Sequence, residues 1–122
     1  MNSDTVFDPE AVYYLSGPMT GIPEYNYPYF NKAAARLRHL GLEVHSPAEI
    51  DVPTHLEGPA LWEACMELCM ELMVGCDSII LLRGWPRSRG AKAELKVALE
   101  QDWTVYYYLD PPGRLVNMTR LI

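Results

Sequence analysis

The chain has 122 residues, 49% of them apolar and 21% charged, with a formal net charge of −6. That length holds one hydrophobic core, and the composition is that of a globular domain, expected to span residues 1–122 as a single unit. The acidic balance argues against a broad phosphate-backbone footprint, so a nucleic-acid polymer is not an expected partner; a single nucleotide needs only one local anion site and stays allowed.

The first residues, Met1-Asn2-Ser3-Asp4-Thr5, are polar and acidic. They read as part of a flexible leader over residues 1–10, not as a secretory signal. No apolar run approaches membrane-spanning length. Cys65, Cys69 and Cys76 are an odd number of cysteines, and a reducing cytoplasm is the expected setting. Neither a CxxC pair nor an HxxxH spacing joins them to His45 or His55, so they read as structural thiols, with no metal and no cofactor.

Ala11-Val12-Tyr13-Tyr14-Leu15, bounded by Ser16-Gly17-Pro18, reads as a buried strand. The Gly-, Pro- and Asn-rich connection over residues 16–27 is long for a strand-to-helix link, and such loops are often functional. A helix follows over 28–40, with Phe30, Ala33, Ala34, Leu37 and Leu40 at helical spacing, Asn26 or Tyr27 near its cap and Gly41 as its stop. Residues 42–45 read as a second strand and 48–59 as loop. A helix over 60–74 carries Leu61, Trp62, Cys65, Leu68, Cys69, Leu72 and Met73, and its methionines read as gap-filling core. Residues 78–82 form a third strand, and Arg83-Gly84-Trp85-Pro86-Arg87 leads into a helix that ends near Gln101. Residues 103–109 are a fourth, aromatic strand; Asp110-Pro111-Pro112-Gly113 is a turn, and 114–122 reads as a short helix or strand.

Alternating units of this length predict an α/β fold with a mostly parallel sheet and helices on both faces. Ligands in such folds bind beyond the carboxyl ends of the strands, where the strand order reverses. That rule gathers Ser16, Gly17 and Met19 after the first strand, Trp85, Ser88 and Gly90 after the third, and Glu94 in the helix that follows. Ser88-x-Gly90 opening a helix suits an anion, because free N–H groups and the helix dipole converge there. Glu94 lies beside Ala91 and Ala98 at the flank of the apolar stripe, so it is more sheltered than a surface glutamate, and a sheltered carboxylate needs a reason. It is either a favourable acid near a helix start or a nucleophile or base. Asp77 precedes its strand and reads on geometry as an edge or helix-end residue. Tyr14, Tyr25, Tyr27, Tyr29 and Trp85 surround the expected crevice and serve either as packing or as a stack for a planar base. No Walker loop, GxGxxG or Gly-x-Ser-x-Gly elbow is present.

Val12-Tyr13-Tyr14-Leu15-Ser16-Gly17, Asp77-Ser78-Ile79-Ile80-Leu81-Leu82 and Ser88-x-Gly90-x-x-x-Glu94-Leu95, in that order, resemble the nucleoside 2-deoxyribosyltransferase superfamily. The resemblance implies a flavodoxin-like three-layer fold of four to five strands, an enzyme, and a homodimer or higher homo-oligomer with composite sites. It implies that Glu94 attacks C1′ of a 2′-deoxyribose, that Asp77 contacts the ligand, and that Gly17 lets the base approach the backbone. It also implies that Ser88 and Gly90 hold the sugar's 5′ end, and that Asn117 acts in a neighbour's site. Serine at position 88 is similar to the 2′-deoxynucleoside 5′-monophosphate N-glycosidases, whereas transferases acting on nucleosides tend to have an acid there. A hydroxyl at a helix start, flanked here by Arg87 and Arg89, accepts a phosphate that a carboxylate would repel. The expected activity is therefore hydrolysis of the N-glycosidic bond of a deoxynucleotide. Base exchange and a non-catalytic nucleotide-binding module are the alternatives.

Overall fold

In the computed structural model, residues 7–122 are described, and their apolar runs and helical periods become five strands and three helices. In chain order these are β1 (Val12–Ser16), α1 (Tyr27–His39), β2 (Glu43–His45), α2 (Gly58–Met73), β3 (Ser78–Leu81), α3 (Arg89–Glu100), β4 (Thr104–Leu109) and β5 (Arg114–Asn117). Short 3-10 turns at Pro23–Asn26, Pro47–Glu49 and Trp85–Arg87 punctuate the loops.

The sheet order is β2-β1-β3-β4-β5. β1 pairs in parallel with β2 and β3, β3 in parallel with β4, and β5 runs antiparallel to β4. The fold is thus the α/β, flavodoxin-like arrangement expected, and the undecided tail resolves as a strand. Chain order reverses between β1 and β3, which puts the switch point at the carboxyl ends of those two strands.

Alternation along β1 assigns its side chains to two cores. Tyr13 and Leu15 face α1, where they meet Phe30, Ala33, Ala34 and Leu37 with Ile80, Leu82, Tyr106 and Leu115. Tyr14 faces the opposite layer, with Cys69 and Met73 of α2, Leu95 and Ala98 of α3, and Ile79, Leu81 and Val105 of the sheet. Within the expected leader, Phe7 and Asp8 are tied to the domain. Tyr13 hydroxyl donates to the Asp8 carbonyl at 2.6 Å and accepts from the Asp8 N–H at 2.8 Å, and Phe7 packs on the α1 core. Residues 1–6 of that leader lie outside the described residues. Among those described, no helix is long and apolar enough to cross a membrane.

The loop before α1 takes an uncommon path. Glu24, Tyr25 and Asn26 are all left-handed, with φ of 55°, 52° and 61°. Asn26 precedes α1 but makes no side-chain cap; its amide instead donates to the Pro18 carbonyl at 2.9 Å.

Candidate functional site

Ser88 has extended backbone and its Oγ accepts from the Ala91 N–H at 3.1 Å, so it is the N-cap of α3. From that start Ala91, Glu94, Leu95 and Ala98 fall on one stripe against the sheet, and Glu94 is only 5% exposed. It arrives beneath the carboxyl end of β1, where alternation has already turned Tyr14 and Ser16 toward it.

Both carboxylate oxygens are held. Ser16 Oγ donates to Glu94 Oε1 at 2.6 Å, and Tyr14 hydroxyl donates to Oε2 at 2.6 Å. Burial pushes the Glu94 carboxyl above the usual carboxylate range, opposed by hydrogen bonding from Ser16, Tyr14 and Cys69. Burial, and then the Glu94 charge, holds Tyr14 well above its ordinary value, so it stays a donor. Cys69 on α2 closes the cluster, its thiol pushed up to about 12 by burial and then by Glu94. Burial raises Tyr27 as well, followed by the influence of Cys65 and Cys69, which places this α1 residue toward α2. The Glu94 carboxyl group therefore has a fixed orientation and two donors, and its oxygens keep lone-pair capacity for a further contact.

Several expected ligand contacts are differently engaged. Tyr14 and Ser16, expected to touch substrate, are fully buried and hold Glu94 instead. A Cβ at Gly17 would meet Leu82 Cβ at 2.9 Å, so glycine there lets the ends of β1 and β3 close together. A Cβ at Gly90 would meet Met66 Sδ at 3.4 Å, so that glycine admits α2. Met19 packs on the α1 core and Trp85 on the α2–α3 core. Arg87 and Arg89 flank Ser88 in sequence but serve different places. Arg89 lies 3.9 Å over the Trp62 ring on α2, while Arg87 lines a cleft at the β3–α3 loop.

Two expected site residues are not brought to Glu94. Asp77 sits before β3 at the amino edge, where its Oδ1 accepts from the Val12 N–H at 3.0 Å and from Ser78 Oγ at 3.2 Å. Val12 and Ser16 are the two ends of β1, roughly 13 Å apart at strand rise. Within this chain Asp77 therefore lies at the amino edge, as its position before the strand suggests, and away from Glu94. Asn117 lies on β5 opposite Tyr106, at the far side of the sheet, and its Oδ1 accepts from the Thr119 N–H at 2.9 Å. Any contact between Asn117 and a Glu94 carboxylate has to come from a second copy. Sequence reasoning missed Cys69 as a neighbour of Glu94. Cys69 had a readable signal, an apolar stripe position on a helix due to pack on the same face.

Among the described residues, no group of three or more His, Cys, Asp or Glu side chains is placed to hold a metal ion. Comparison with curated proteins gives no match. Residues 11–107, from the start of β1 through most of β4, match DUF4406, a domain of unknown function. That span takes in β1, the Ser88 cap and Glu94, and the chain belongs to the DUF4406 family.

Proposed function

We propose that the protein hydrolyses the N-glycosidic bond of a 2′-deoxynucleoside 5′-monophosphate, with Glu94 as nucleophile. The observation that carries this reading is the Glu94 carboxylate, nearly buried at the switch point and held by Tyr14 and Ser16. The resemblance to the nucleoside 2-deoxyribosyltransferase superfamily supplies the substrate class.

A glutamate oxygen attacks C1′ as the C1′–N bond breaks. The base leaves with the bonding pair and takes up a proton. Water then attacks C1′ and gives up a proton to solvent, balancing the one the base took from it, the ester C–O bond breaks, and the glutamate is restored with release of the sugar phosphate, as in retaining glycosidases. Tyr14 and Ser16 fix the rotamer of the attacking carboxylate, which keeps the reactive geometry without reorganisation. Delivery of the deoxyribosyl group to a second base differs only in the final acceptor.

A second reading is favoured by the same burial. With both oxygens engaged and 5% exposure, Glu94 also fastens α3 to β1, and a non-catalytic nucleotide-binding module, which keeps the Ser88 and Gly90 loop, needs no chemistry from it. Incubation with a panel of deoxynucleosides and their 5′-monophosphates, followed by chromatography of free base, separates these readings. Base release from monophosphates alone, abolished in Glu94→Gln, is the expected result. Base exchange without net release assigns transfer, and nucleotide binding without turnover leaves the binding module.

A further inference from the structure

An open cleft of about 440 Å³ lies at the carboxyl edge of β1 and β3, lined by Pro18, Thr20, Asn26, Tyr29, Arg83 and Arg87 among others. Its volume is toward the small end of ligand sites, which span roughly 300–1,000 Å³. Gly84, also in its wall, has φ +91° and would bring a Cβ to 3.1 Å from Pro18 Cγ, so the β1–α1 and β3–α3 loops meet tightly there.

The cleft is basic in a chain of net charge −6. Its lining holds two arginines and no carboxylate. Among the described residues the two ion pairs are Arg38–Glu49 and His45–Glu43, so neither Arg83 nor Arg87 is neutralised by a contact acid. The Arg83 guanidinium lies 4.8 Å from the Tyr29 ring centroid, stacked in place and less free to wander than a solvated arginine. The Tyr29 ring helps to line this cleft and carries Arg83, while its hydroxyl is buried away from solvent with no hydrogen-bond partner. Asp110 is the acid whose influence reaches Tyr29, and it opposes that of Arg83.

We infer that this cleft is a seat for a phosphate group, held by Arg83 and Arg87, with the Tyr29 ring supporting the first of them. Guanidinium groups match phosphate oxygens through charge-assisted, paired N–H bonds. Ser88, expected to meet the phosphate, is engaged as a helix cap, and Arg89 is on Trp62. The seat is adjacent to the Glu94 cluster through two short connections: Ser16 holds Glu94 and Pro18 lines the cleft, while Arg87 lines the cleft and Ser88 caps the helix that carries Glu94. The inference rests on the proposed reaction only for the choice of a monophosphate as probe; the seat itself is independent of chemistry at Glu94.

The test is titration calorimetry on the full chain carrying Glu94→Gln, with inorganic phosphate, 2′-deoxyadenosine 5′-monophosphate and 2′-deoxyadenosine as probes. The monophosphate is expected to bind at least about tenfold more tightly than the nucleoside, with phosphate competing, and Arg83→Gln and Arg87→Gln each to weaken it about tenfold. Tyr29→Phe, which keeps the stacked ring, and Arg120→Gln, in a separate cavity with Thr104 and Asn117, both leave it unchanged. Phosphate binding that needs both arginines without monophosphate binding supports the seat and counts against the proposed reaction. Equal binding of nucleoside and monophosphate, or arginine variants no weaker than Arg120→Gln, overturns the seat. In the otherwise unaltered protein, monophosphate turnover that is indifferent to both arginine changes also overturns it, while leaving the reaction standing.

Discussion

At each end of β1 a carboxylate fastens a neighbouring element to the strand. Asp77 does so at the amino end through the Val12 N–H and is exposed; Glu94 does so at the carboxyl end through Ser16 and Tyr14 and is nearly buried. Water competes with the first interaction and solvates its charge. Around the second there is no such relief, so its two hydroxyl donors carry the solvation of the carboxylate. The same residue class thus gives an edge contact in one place and a tensioned, oriented acid in the other. The amino edge of the sheet serves connection, and the carboxyl edge concentrates groups whose removal is felt.

Substitution breaks this contrast most strongly at Glu94. Glu94→Ala leaves two buried hydroxyls without an acceptor, each costing about 1–3 kcal/mol, visible as a lower urea midpoint. The same change is expected to abolish base release by at least about 10³-fold, whereas Glu94→Gln is expected to lose activity with a smaller loss of stability. Ser16→Ala and Tyr14→Phe come next: each removes one charge-assisted bond, for about 1.5–3 kcal/mol in chemical denaturation. Each also raises the Glu94 pKa further, moving the acidic limb of the rate profile to higher pH.

The pH dependence sharpens the comparison more quietly. A nucleophile must be ionised, so base release is expected to fall as pH drops through the Glu94 value, which burial places above the ordinary carboxylate range. In stability the sign is opposite. The native state binds this proton more tightly than the unfolded chain, so the Glu94 contribution is fully present below the unfolded value and lost as pH rises through the folded one. Denaturation midpoints of the unaltered protein and Glu94→Gln, compared across that window, read the difference directly. Asp77→Ala is the smallest effect: about 1 kcal/mol or less, with base release unchanged.

Much of this contrast was readable before any coordinates. The β-α order and the apolar stripe of α3 were enough to place Glu94 beneath β1, because period 3.6 and period 2 each assign a face. Asp77 shows where resemblance and geometry parted: its position before the strand assigned it to the amino edge, and matching to a family role moved it away. The partners of Glu94 were harder to see. Tyr14 and Ser16 were picked out as crevice residues, but whether a hydroxyl turns to a ligand or to a buried acid depends on how closely α3 approaches the sheet. The basic cleft was less legible still. Arg83 and Arg87 share the β3–α3 connection but Tyr29 lies on α1, and the close meeting of the two loops at Gly84 and Pro18 joins them.

Glu24, Tyr25 and Asn26 wind left-handed immediately before α1 winds right-handed from Tyr27. A left-handed L-residue sits roughly 1–2 kcal/mol above its relaxed state, so these three residues form a single wound turn, held by the Asn26 amide on the Pro18 carbonyl. Pro18 also lines the basic cleft, so one residue both anchors the wound segment and shapes the mouth of the site.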